Sequence, residues 1–289
     1  MPRRRTVLLA ALGGAGLATG VAVVSSDDPA REPDRPDDST EDQVPQDPRI
    51  IEYGDDPAQH AELWQPPGPS KGVVVVIHGG FWKAAYDLSL GRPLAADLAT
   101  RGWTAWNIEY RRVGNGGGLP ETFDDVAAAI DELAEVDGLD TSTVVTLGHS
   151  AGGHLATWAA ARGRFRWPVR VPVTHVISQA GVLDLGSAYR DGLGSGAVQA
   201  LVGGPPGPAY DEVDPARQIP LDVPVWCVHG LGDDIVPVSQ SREYVDRARA
   251  AGAPAELVEV EGDHFVVIDP DSDAWRRTLQ ILDDLDRPT

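Results

Sequence analysis

From about residue 49 onward, short apolar runs alternate with longer amphipathic stretches. Val73 to Ile77 is five consecutive β-branched residues, the length and composition of a buried strand and too short for a helix. Thr104 to Ile108, Val144 to Leu147, Val173 to Ser178, Val223 to Val228 and the shorter Leu257 to Val260 repeat that character. Between them, Leu90 to Thr100, Phe123 to Val136, Gly153 to Arg162, Val238 to Ala251 and Asp273 to Leu285 carry helical spacing. Ile50 to Tyr53 and Ala61 to Trp64 read as an antiparallel hairpin at a sheet edge. Strands with apolar residues on both faces, separated by helices, predict an α/β fold. Its sheet is mostly parallel, with helices on both faces.

Two segments break this rhythm. Val182 to Asp222, with Gly203-Gly204-Pro205-Pro206-Gly207-Pro208 at its centre, is expected to pass over the top of the sheet as a small cap. Residues 27 to 48 hold nine acids, two arginines and five prolines with Val44 the only large apolar residue. Such a stretch buries too little surface to offset chain entropy and is expected to be a disordered linker.

The first 26 residues read as an address. Arg3, Arg4 and Arg5 precede the uncharged stretch Val7 to Val24, and Ser25-Ser26 follow. Arg4-Arg5-Thr6-Val7-Leu8 resembles a twin-arginine export signature, lacking its serine before the pair and its lysine after. Export is expected, with retention of the segment as an N-terminal anchor as the alternative. Membrane association would then arise only through this segment. The organisation expected is export segment 1–26, linker 27–48 and a catalytic domain 49–289 with its cap at 182–222.

Charge narrows the partners. The 289 residues carry a net charge of −20, and Lys71 and Lys83 are the only lysines. A polyanion needs clustered cations to release its counterions, so no nucleic-acid partner is expected. Cys227 is the single cysteine, so no internal disulfide can form, and its apolar neighbours predict a buried small side chain. No HExxH or comparable spacing points to a metal.

The chemistry gathers at three strand ends. Gly148-His149-Ser150-Ala151-Gly152 follows one strand and opens a helix, the turn that holds a serine nucleophile above a sheet. A hydroxyl needs a base within reach, and in this architecture the order is serine, acid, histidine. Asp233 follows the strand ending at Val228, and His264, in Gly262-Asp263-His264-Phe265, follows the last strand. Asp234 is the neighbouring alternative for the acid; the spacing from His229-Gly230 and to Val236-Pro237 favours Asp233. Asp263 is read as structural. His149 and His154 are read as packing or local hydrogen-bonding groups, and His60, His175 and His229 as structural. His78-Gly79-Gly80-Phe81-Trp82 follows the first buried strand and supplies a close-approaching backbone. Main-chain donors from Gly80 or Phe81, with that of Ala151, are expected to form an oxyanion hole. Trp82 and Phe81 are candidates for the substrate-pocket lining.

Taken together, these residues resemble the α/β-hydrolase superfamily from Arg49 to Asp286. The pairing of HGGFW with GHSAGG is similar to the esterase/lipase branch that holds bacterial feruloyl/acetyl esterase-like proteins and kynurenine formamidases. The resemblance implies an eight-stranded sheet, an acyl-serine intermediate, a small-molecule ester or amide substrate and no cofactor. The tract after His78 departs from the HGGG of hormone-sensitive-lipase relatives. Export and an acidic linker fit poorly with a cytosolic formamidase, so ester hydrolysis is the main expectation, with formamidase and a non-catalytic ligand-binding protein as alternatives.

Overall fold

Alternation along one strand explains how the sheet is covered. In β3 (Val73–Ile77), Val73, Val75 and Ile77 enter one apolar cluster while Val74 and Val76 enter another, because successive side chains point to opposite faces. The computed structural model describes residues 47–285. The export segment expected at residues 1–26 and all but the last two residues of the linker lie outside the described residues.

Eight strands form one sheet in the order β1-β2-β4-β3-β5-β6-β7-β8. β1 (Arg49–Glu52) and β2 (His60–Trp64) make the expected edge hairpin, with β2 antiparallel to β4 (Thr104–Ile108). From β4 onward through β3, β5 (Val144–His149), β6 (His175–Gln179), β7 (Val225–Gly230) and β8 (Ala255–Val260), every pairing is parallel. Parallel strands must be covered on both faces. Helices α2 (Glu121–Asp131), α3 (Ala151–Ala159) and α7 (Ser239–Ala250) cover one side. α1 (Arg92–Thr100) and α8 (Asp273–Leu285) cover the other. Trp106 of β4 sits fully buried under α2 and donates its indole N–H to the Ala129 carbonyl at 2.8 Å. Its truncation to Ala would cost about 3–5 kcal/mol.

Most strand and helix ends differ from the expected ones by one or two residues, and three of the differences are instructive. β6 begins at His175, because Val173 is apolar through its place in the core cluster and lies outside the ladder. α2 ends at Asp131, whose carboxylate is engaged by Arg162 and the Arg170 and Val171 amides, and a 3₁₀ turn follows. α3 starts two residues early, directly after Ser150.

The segment 182–222 is a run of short helices: α4 (Leu185–Arg190), α5 (Ala197–Val202) and α6 (Ala209–Val213), then a 3₁₀ turn at Pro215–Arg217. Asp214 fastens it, accepting the Leu185, Gly186 and Ala216 amides at 3.1, 3.3 and 3.2 Å. Burial, with the charge of Asp184 adding to it, pushes the Asp214 carboxyl up to about 6. Cys227 is buried in β7, and burial raises its thiol to about 12.

Candidate active site

A strand that must turn sharply into a helix leaves little room for side chains, and Ser150 sits where that turn is sharpest. Its φ of 55° and ψ of −116° are a conformation that non-glycine residues rarely adopt. The flanking glycines are demanded by space. A Cβ on Gly152 would lie 2.0 Å from the Ile77 carbonyl oxygen, and one on Gly148 would lie 2.0 Å from that of Gly152. The Ser150 amide donates to Gln179 O at 2.8 Å, which ties the elbow to β6. The same glutamine's side-chain amide donates to Val267 O and so holds the loop that carries His264.

His264 and Asp233 meet as expected. His264 Nδ1 donates to Asp233 Oδ2 at 2.6 Å, and both side chains are almost wholly buried. Asp233 Oδ1 accepts the Ile235 and Val236 amides at 2.9 and 2.8 Å. Burial by itself would raise the Asp233 carboxyl. Hydrogen bonds from His229, His264 and the Val236 amide outweigh it and hold the group well below the ordinary carboxylate range. Asp234 is exposed and makes none of these contacts, so of the adjacent pair it is Asp233 that meets His264. Asp263 accepts the Phe265 and Val266 amides at 2.9 and 3.1 Å and shapes the loop, as its structural reading requires.

Neither Ser150 Oγ nor His264 Nε2 has a hydrogen-bond partner among the described residues. Links of this kind commonly tighten only when substrate is bound. The main-chain N–H groups of Gly80, Phe81 and Ala151 likewise meet no acceptor among the described residues. That leaves three donors at the elbow and the loop after β3 for an incoming oxygen.

The loop after β3 carries strain, with φ of 53° at Phe81 and 54° at Trp82. This twist turns Trp82 inward. It is fully buried and packs edge-on against His154, ring centroids 5.2 Å apart, so the expectation that it lines a substrate pocket is corrected: Trp82 is core. Phe81, half-buried, faces the cap loop at Gly194. The loop's root is fixed by a network that residue types alone did not reveal. His78 Nε2 lies 3.1 Å from Glu109 Oε1, Arg112 bonds the same carboxylate, and the Tyr110 hydroxyl donates to His78 O at 2.8 Å. Burial would raise the Glu109 carboxyl, yet the donors His78, Arg112 and the Tyr110 amide lower it.

Two histidines read as local structure lie close to the site. His149 Nε2 is 3.0 Å from the main-chain oxygen of His264. His229 Nε2 is 3.1 Å from Asp233 Oδ2. The one available signal was position: His149 adjoins Ser150, and His229 lies near the end of its strand, four residues before Asp233.

A mostly parallel eight-stranded sheet, with a strained serine between strand and helix and a His–Asp pair on the loops beyond it, defines the α/β-hydrolase fold. Within that fold the chain belongs to the BD-FAE family, whose family model matches residues 63–247. Esterase LipC of Mycobacterium tuberculosis is 29% identical over 224 residues, covering 70% of this chain and 55% of LipC. The probable carboxylic ester hydrolase LipM of the same organism is 30% identical over 68% of this chain and 50% of its own length. The chain thus spans about half the length of the curated relatives it matches. Esterase B of Lactobacillus rhamnosis superposes with a TM-score of 0.70 at 22% identity, covering 84% of this chain and 87% of that one.

Proposed function

We propose that this chain hydrolyses carboxylic esters through an acyl-serine intermediate. The observation that carries the reading is the 2.6 Å His264–Asp233 hydrogen bond, at the same end of the sheet as the strained Ser150 elbow. His264 Nε2 removes the Ser150 proton as Oγ attacks the ester carbonyl carbon. Asp233, ionised, fixes the imidazole with Nδ1–H toward itself and stabilises the imidazolium that forms. Negative charge on the former carbonyl oxygen is met by the free N–H groups of Ala151 and of Gly80 or Phe81; one such donor contributes about 3 kcal/mol. The tetrahedral intermediate collapses, His264 returns its proton to the leaving alcohol, and water activated by the same imidazole releases the acid.

That LipC and LipM carry esterase names supports an ester substrate. The N-terminal arginines and the uncharged stretch behind them support an exported enzyme. A panel of chromogenic esters and N-formylanilides, run beside a fluorophosphonate label, tests the reading. Ester turnover and labelling, both lost in Ser150→Ala with the fold intact by circular dichroism, are expected. Dominant formylanilide turnover would move the assignment to a formamidase, and absence of labelling would leave a ligand-binding protein.

A further inference from the structure

Two imidazole nitrogens lie against Asp233 Oδ2, one donating to it and the other beside it. His264 Nδ1 reaches it at 2.6 Å from the loop after β8, and His229 Nε2 reaches it at 3.1 Å from the end of β7. His229 is completely buried. Its Nε2 also faces the Val236 carbonyl at 2.9 Å, and its Nδ1 lies 2.8 Å from the Ser241 hydroxyl on α7. The Val236 carbonyl accepts from Nε2, with Asp233 Oδ2 beside the same nitrogen, which places the hydrogen there, and the Ser241 hydroxyl then donates to Nδ1. Both ring nitrogens are satisfied, so this imidazole has no part to play as a base.

We propose that His229 is a positioning residue that sets how strongly Asp233 holds the proton of His264, by sharing the same carboxylate oxygen. It rests on the catalytic reading above. With the Ile235 and Val236 amides on Oδ1, four N–H groups surround the carboxylate. Each donor stabilises its negative charge, and a carboxylate whose charge is already met attracts the imidazolium less. His229 therefore weakens the hold of Asp233 on the His264 proton, while keeping the carboxylate ionised and fixed. The other titratable groups facing the cluster are few. The His149 ring lies 4.6 Å from that of His264, and Cys227 shares Ser241 with His229. The Asp263 carboxylate is engaged by its own loop amides, and Asp234 points to solvent.

The test is the pH dependence of kcat/KM for a short chromogenic ester, whose acid limb reports the base of the free enzyme. His229→Leu removes the donor. The midpoint of that limb is expected to move up by about half a pH unit or more. His229→Gln, whose amide N–H reaches the same oxygen, should return it toward the parent value. A folded His229→Leu enzyme whose midpoint stays put or moves down overturns the proposal. Should His229→Leu not fold, Ser241→Ala decides, because it removes only the hydroxyl that orients the ring: a smaller upward move is expected, and an unmoved limb rejects the idea. The low-field proton resonance of the His264 Nδ1–H gives a reading without turnover, and it should shift in His229→Leu and recover in His229→Gln. Retained hydrolysis in Ser150→Ala would fail the catalytic reading instead, and that resonance would still test the shared oxygen.

Discussion

The Nε2–H of His149 donates to the main-chain carbonyl of His264 at 3.0 Å, and the two rings lie 4.6 Å apart. The residue before Ser150 thus grips the loop that presents His264. Displacing reacting groups by about 1 Å can cost about 100-fold in rate. His149→Leu should therefore lower kcat by about 10- to 100-fold with KM little changed. His149→Gln, which keeps a donor at a similar reach, should lose less. Steady-state kinetics on a short ester check this, and equal losses in the two variants would sink it.

Burial makes the same imidazole a liability in acid. It pushes His149 down to about 3, with the neighbouring His264 adding to it, and His154 down to about 4. Both are neutral in the fold and take up protons on unfolding below the ordinary imidazole value of about 6.5. Stability is therefore full above that pH and falls as pH drops toward about 3 to 4, at about 1.4 kcal/mol per pH unit for each site. Asp214, raised to about 6, acts in the opposite sense between its ordinary 3.8 and 6 and offsets part of the slope. Denaturant melts at about pH 7.5 and 4.5 should show a large loss that His149→Gln reduces. Equal midpoints at the two pH values would mean the imidazoles are not held neutral.

Strands and elbow were readable because each is written locally. Val73 to Ile77 has no helical alternative at its length, and Gly148 and Gly152 declare the turn around Ser150. The acid was readable to within one residue, since Asp233 and Asp234 differ in direction and not in type. Direction is also what hid Trp82: HGGFW gives two adjacent aromatics, and only the positive φ at both decides that Trp82 turns to the core and Phe81 to the cap. The partner of His149 comes from a loop 115 residues away, which no local pattern encodes, while His229 meets a carboxylate only four residues on, where the path of the turn and not the residue types sets the contact. The cap helices, five or six residues each, are too short to show a period against their glycines and prolines.

Gly152 tests how tightly the elbow is set. A methyl there must displace the Ile77 carbonyl, 2.0 Å away, in the central strand β3. Backbone cannot swing aside as a side-chain end can, so the cost should be at the upper end of the 1–3 kcal/mol (roughly) seen for overpacked cores. Gly152→Ala should lower Tm by several degrees and abolish fluorophosphonate labelling of Ser150. Normal labelling with an unchanged Tm would contradict this packing.

The cap leans on the loop after β3, whose N–H groups are the proposed oxygen-binding donors. Lys83 Nζ donates to Gly194 O at 2.9 Å and lies 5.6 Å from the centre of the Phe81 ring. Gly194 has φ of +62°, and a Cβ on it would sit 2.4 Å from Phe81 Cδ1. Gly194→Ala must therefore push the Phe81 ring, and with it the strained main chain of that loop. Loss of one well-placed donor lowers kcat by about 100-fold or more, so partial displacement should cost at least about tenfold. Lys83→Met removes the tether without the clash and should cost less, about threefold. Tm should fall modestly in Gly194→Ala, because its φ of +62° strains any side chain, and change little in Lys83→Met. Parent-like kinetics in Gly194→Ala would show that Phe81 and its amide move independently of the cap.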